Sequence, residues 1–311
     1  MTDRGPLRVV SLIASATEIV CALGRGDWLV GRSHECDYPG QVLSLPALTA
    51  PKFPVEGSSL EIDRRVQAIV RDGLSVYRVD AEALRALAPD VIVTQDHCEV
   101  CAVSLTDVEK AVCSWSDRQV RIISLRPDSL TDAYADMRRV GLALRARAQS
   151  QALVAQIESR LRALAGATVR RGKPRVAFIE WVEPLMAGGN WMPELIEAAG
   201  GQNLFGVAGK HSSWMPWSEL IAANPEVIIV APCGFGLQRC LQELPLLEAK
   251  PGWAGLEAVR NGRVYFADGN AFFNRPGPRL ADSGEMLVEM LHAEPRPHRY
   301  ELVAWVRHGP G

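Results

Sequence analysis

Residues Ser129 to about Arg170 constrain this chain more than any other stretch. They contain no proline, hold a single glycine (Gly141) before Gly166, and are rich in Ala, Leu, Arg and Gln. Apolar residues recur at helical spacing: Val140 and Leu144, then Leu153, Ile157, Leu161 and Leu164. A helix of that length spans roughly 50 Å at about 1.5 Å per residue, too far for one small domain. The stretch therefore reads as a rigid strut, dividing the chain into an N-terminal lobe over residues 1–128, a connecting helix over 129–170 and a C-terminal lobe over 171–311. With 311 residues in all, each lobe is long enough to bury its own core.

Both flanking lobes carry the same pattern. In the first, strands are expected at Val9–Ile13, Trp28–Gly31, Asp90–Thr94 and Val120–Ser124, with helices at Ala16–Leu23 and Ala81–Leu87. Ser15-Ala-Thr-Glu18 has the spacing of a capping box. After Arg170-Arg-Gly-Lys-Pro174 the pattern restarts. Strands are expected at Arg175–Trp181, Val227–Ala231 and Val264–Ala267, and helices at Met192–Ala199, Trp217–Ala223 and Ala281–His292. Continuous apolar strands alternating with helices imply a mainly parallel sheet covered on both faces. Tyr300–Val306 is expected to pack back on the body.

A net charge of -2 gives no reason to expect a polyanionic partner, and nucleic acid is not one. No apolar stretch approaches the roughly 20 residues that span a bilayer, so membrane insertion is not expected. Arg4 and Arg8 before Val9-Val-Ser-Leu-Ile-Ala-Ser-Ala16 imitate a signal peptide. The same run serves better as a first strand entering a helix, and its removal would cost the fold that strand. Seven cysteines at irregular spacing do not resemble a disulfide scaffold. Together these features place the chain in the cytoplasm, or in the periplasm if the true start lies upstream. A monomer is expected.

The order of several motifs resembles the metal-chelate class (class III) of ABC-transporter substrate-binding proteins, and most closely its cobalamin-binding branch. The carrying residues are Arg8-Val-Val-Ser-Leu, Ser15-Ala-Thr-Glu18, Ala22-Leu-Gly24, Leu29-Val-Gly31 with Asp37-Tyr-Pro39, and Ala83-Leu-Arg-Ala-Leu-Ala-Pro-Asp-Val-Ile-Val93. In the second half they are Glu197-Ala-Ala-Gly-Gly-Gln-Asn-Leu-Phe205 and Ser218-Glu-Leu-Ile-Ala-Ala-Asn-Pro-Glu-Val-Ile-Ile-Val230. The resemblance implies an α/β fold of two Rossmann-like lobes joined by one long α-helix, which captures a ligand reversibly in the cleft between lobes. It implies cobalamin or another corrinoid as ligand, with a siderophore or haem as the alternative. It also implies docking to an ABC-transporter permease through an acidic residue on each lobe. Glu219 matches the second position; Glu99 or Glu109 stands for the first.

The residues themselves offer two ligand constellations. Eight tryptophans form a large share of the few aromatics. Trp181, Trp191, Trp214 and Trp217, with Phe272-Phe273, fall after strands or in Gly- and Ser-rich loops, where α/β proteins hold ligands. Flat side chains suit a broad planar ligand; ordinary core packing is the competing reading. The second constellation is His34-Glu-Cys36-Asp-Tyr38 past the second strand, and His97-Cys98-Glu-Val-Cys101 past the third. His34, Cys36, Cys98 and Cys101 can be read as a zinc site, which needs four ligands. His97 or a thiolate can instead be read as an axial donor to a chelated metal, and all of the cysteines as small buried hydrophobes. A thioredoxin-like role for Cys98 and Cys101 lacks the surrounding pattern. No nucleophile elbow, Walker loop, metalloprotease motif or dinucleotide fingerprint occurs, so an enzyme is not expected; a metal- or thiol-dependent sensor or enzyme on the same fold is the contrasting reading.

Overall fold

Apolar runs long enough to be covered on both faces become the central strands. The computed structural model describes residues 5–71, 75–96, 107–109, 112, 120–292 and 297–309. Their contacts divide into two units. The first comprises described residues within Met1–Glu56, Arg64–Pro127 and Thr131–Ala155; the second comprises those within Gly57–Asp63, Asp128–Leu130 and Gln156–Gly311.

In the first unit, β1 (Val9–Ser11) leads into α1 (Ala14–Ala22), followed by β2 (Leu29–Arg32). A small antiparallel pair, β3 (Thr49–Pro51) and β4 (Tyr77–Val79), precedes helix Ala81–Ala86 and then β5 (Val91–Gln95) and β6 (Arg121–Leu125). The main sheet is wholly parallel in the order β2-β1-β5-β6, with Val9 opposite Val91 and Val91 opposite Arg121. Val9, Val10, Ile92 and Val93 are fully buried, as expected of parallel strands covered on both faces.

The long helical stretch is not one rod. It is two helices, α2 (Leu130–Ala143) and α3 (Arg147–Thr168). Arg145 adopts a left-handed φ of 54° between them. The Arg145 N–H donates to Leu142 O at 3.4 Å and the Ala146 N–H to Gly141 O at 2.7 Å. That is the hydrogen-bond pair of a Schellman C-cap, formed with Arg where Gly is usual. Nothing in Leu144-Arg-Ala146 marks a stop, because all three are good helix formers. The division between the units falls inside α3, between Ala155 and Gln156.

In the second unit, β7 (Arg175–Trp181), β11 (Val227–Val230) and β12 (Val264–Ala267) run parallel at the centre of the sheet. All four residues of β11 have no exposure. Edge strands β8 (Met186–Ala187) and β10 (Ser213–Trp214) extend the sheet antiparallel beyond β7, and β9 (Gln202–Asn203) also pairs with β7. Helices α4 (Met192–Ala198), α5 (Trp217–Ala223) and α6 (Leu280–Leu291) link and cover the strands. The C-terminal segment packs on the body as expected. β13 (Trp305–His308) adds antiparallel to β12, while the Glu289 carboxylate on α6 accepts from the Trp305 indole (2.9 Å) and the Arg299 backbone (2.7 Å).

Candidate functional site

Parallel strands bring the loops after β7, β11 and β12 to one edge of the second unit's sheet, the edge at which open α/β sheets bind ligands. Hydrogen bonds tie those loops together. Cys233 N–H donates to Glu180 O (3.1 Å), Asn270 N–H to Phe235 O (3.1 Å), and the Asn274 side-chain Nδ2 to Ala231 O (3.3 Å). Gly269 permits this closeness, because a Cβ there would lie 2.2 Å from Pro232 O.

Trp181, the last residue of β7, packs against Phe235 with ring centroids 5.1 Å apart. The register places Trp181 opposite Met186, and Met186 opposite Trp214. Directly paired residues share a sheet face, so Trp214, Met186 and Trp181 form one row that continues into Phe235. Trp214 is 52% exposed, which gives the row an open end. The Arg239 guanidinium lies 4.0 Å from the Phe235 ring centroid and pairs with Glu243 at 2.7 Å. Arg275, almost wholly buried, donates to Asn270 Oδ1 at 3.2 Å. This edge therefore combines flat apolar surface with two arginines held in place. Phe235 escapes a reading that searches for tryptophan, because Gly234-Phe-Gly236 looks only like a turn.

The other expected aromatics make contacts within the unit. Trp191 is 6% exposed and its indole donates to Phe273 O at 3.2 Å. Phe273 is fully buried against Phe178, 5.5 Å away. The Trp217 indole donates to Pro251 O at 2.7 Å and packs near Trp253. Phe272 is partly buried beside Tyr300 (6.3 Å), with the Arg279 guanidinium 4.8 Å from its ring. Trp191 and Phe273 fill the unit, while Trp217 and Phe272 keep part of their surface open.

In the first unit, Tyr38 is 49% exposed in the loop after β2, where a ligand contact is feasible. Cys36 is not available in the same way. It has no exposure, and its sulfur receives a hydrogen bond from Thr17 Oγ1 at 2.9 Å. His34 Nδ1 lies 2.7 Å from Thr49 Oγ1, and its ring packs near Tyr77 at 5.2 Å. Burial, and then the charge of Arg32, lower its pKa. His97, Cys98, Glu99 and Cys101 lie outside the described residues. Among the described residues no group of three His, Cys, Asp or Glu could hold a metal ion. Of the donor set expected for zinc, only His34 and Cys36 are described: Cys36 is sealed in the core, and His34 is anchored through Nδ1.

A family model described as periplasmic binding protein matches residues 9–271. The chain belongs to the periplasmic binding protein family. That membership makes it a binding protein rather than an enzyme. The chain is similar to an uncharacterized ABC transporter substrate-binding lipoprotein, YvrC, of Bacillus subtilis, with 23% identity over 299 residues, 93% of this chain and 81% of the relative. Among solved structures it resembles a periplasmic heme binding protein from Pseudomonas aeruginosa (TM-score 0.71, 20% identity, covering 98% and 99% of the two chains). It also resembles the periplasmic vitamin B12 binding protein BtuF of Vibrio cholerae (TM-score 0.65, 19% identity, covering 93% and 98%). These likenesses establish the two-unit α/β fold.

The family also corrects the cytoplasmic assignment. Periplasmic binding proteins work outside the cytoplasm, and the Bacillus relative is a lipoprotein. Val9–Ser11 and Ala14–Ala22 fold as strand and helix, which says nothing about compartment. Cys21, Cys36, Cys233 and Cys240 are free thiols, and that too is compatible with an extracytoplasmic chain.

Proposed function

We propose that this chain captures a metal chelate for an ABC importer, and that a corrinoid such as cobalamin is its ligand. The observation that carries the reading is the row Trp214–Met186–Trp181–Phe235 at the ligand edge of the second unit's sheet. Large rigid apolar side chains in a row match the face of a wide macrocycle and lose little conformational entropy on contact. The motif order supports a corrinoid. Haem is the second reading, favoured by the heme binders among the structural relatives. Glu219, exposed in the first turn of α5, is proposed to dock the importer's permease.

Calorimetric and visible-absorption titrations with cyanocobalamin, hemin and a ferric siderophore test the ligand. Cyanocobalamin is expected to give saturable heat and a shifted spectrum. Saturation by hemin alone would transfer the assignment to haem. No heat from any of the three at high micromolar concentration would remove the chelate reading. Trp181→Ala is expected to weaken binding about tenfold or more, as losing an aromatic contact costs on the order of 1–3 kcal/mol. Mass spectrometry of small molecules that co-purify from the native source gives an independent identification.

A further inference from the structure

The chain's net charge of -2 conceals an uneven distribution. β7, β11 and β12 are parallel, so the turns that precede them meet at the amino edge of the second unit's sheet, opposite the ligand edge. α3 ends at Thr168, whose Oγ1 donates to Leu164 O at 3.0 Å. Val169-Arg-Arg-Gly-Lys173 follows, and all five residues are exposed, Val169 by 77%. In the turn before β12, Arg260 is exposed and Arg263 is half-buried. Burial lowers the His292 pKa, and the charges of Arg171 and Arg263 lower it further, which sets the two turns beside one another. Arg170, Lys173 and Arg260 form no ion pair among the described residues. Glu197, Glu226 and Glu257 lie at the same edge and do not match the cations in number; Glu226 accepts from the Arg175 backbone N–H at 3.3 Å. Cations after a helix C-terminus suit its dipole. That accounts neither for an exposed valine among them nor for Arg260 and Arg263 on a separate turn.

We propose that this amino edge rests on an anionic lipid surface, with Val169 entering the headgroup layer and Arg170, Arg171, Lys173 and Arg260 facing lipid phosphates. Each cation close to an anionic bilayer contributes about fivefold in affinity, and an apolar side chain set among cations is the composition of an interfacial contact. The family works outside the cytoplasm, beside a bilayer and away from nucleic acid, so lipid is the polyanion within reach. The pose turns the ligand edge, with Trp214 and Glu219, outward. A chain held this way captures ligand from solution and leaves the lipid to dock a permease through Glu219.

Sedimentation of the full chain with vesicles tests the proposal. Vesicles of equal parts phosphatidylglycerol and phosphatidylcholine should carry the protein down, and phosphatidylcholine alone should not. Binding should fall as salt rises and the Debye length shrinks. The triple variant Arg170→Gln, Arg171→Gln, Lys173→Gln should bind on the order of a hundredfold more weakly with its circular dichroism unchanged, since all three side chains are exposed. Val169→Ser should weaken binding without altering the salt dependence. Equal binding to both vesicles, no binding to either, or variants that bind like wild type overturn the proposal. Retention on heparin without binding to vesicles also overturns it, and assigns the edge to a different acidic partner. No chelate enters these measurements, so their outcome leaves the ligand assignment untouched.

Discussion

Cys21, Cys36, Cys233 and Cys240 share a side chain but not a surrounding. Burial pushes the Cys21 thiol up to about 11, helped by the charges of Glu18 and Asp27. Burial raises Cys240 as well, and its sulfur donates to Val230 O at 3.1 Å. Cys36 has no exposed surface. Alkylation requires an accessible thiolate, so of these four Cys233 is expected to take up iodoacetamide first near neutral pH. Peptide mass spectrometry checks this, and Cys21 labelling ahead of Cys233 would contradict it. His34 gives a pH prediction. Its folded pKa lies below its ordinary value near 6.5, so the unfolded chain binds the proton more readily. Stability is then complete above about 6.5 and falls as pH drops through that value. Thermal melts between about pH 7 and 5 should show the loss, and His34→Gln should flatten some of it. His292, lowered by burial, accounts for a further share.

At the scale of elements, two glycines in neighbouring helices behave oppositely. A Cβ on Gly141 in α2 would lie 2.3 Å from Ser150 Oγ and 3.1 Å from Ala146 O. Gly166 in α3 has open space around it. Gly166→Ala should stabilise by about 1 kcal/mol through helix propensity, whereas Gly141→Ala should destabilise by roughly 1–3 kcal/mol through overpacking; urea denaturation distinguishes them. Helical spacing marks 129–170 as helical, yet at the turn Arg25 donates to Leu144 O and Arg145 O at 3.3 Å each, long-range bonds that no local propensity records. Strands were more legible. β7 and β12 span the residues that the sequence predicts for them. The two-residue strands β8 and β10 carry no periodicity, so the row they create from Trp214 to Trp181 emerges only with the register.

For the molecule as a whole, the α/β alternation and motif order identify the family. Trp191 looks like a ligand contact in the sequence, yet it is 6% exposed and its indole donates to Phe273 O. Binding of the proposed chelate should raise the melting temperature, since a ligand at a hundred times its Kd stabilises by about 2.7 kcal/mol; an unmoved melt under saturating cyanocobalamin would count against that ligand. β13 has another consequence. Its antiparallel pairing occupies the outer side of Val264–Ala267, a fully buried run in a parallel sheet. A chain ending at His292 would bare that row of unpaired amides and carbonyls, a template for strand addition by a second molecule. Such a fragment should therefore self-associate and turn cloudy on warming while the complete protein stays clear.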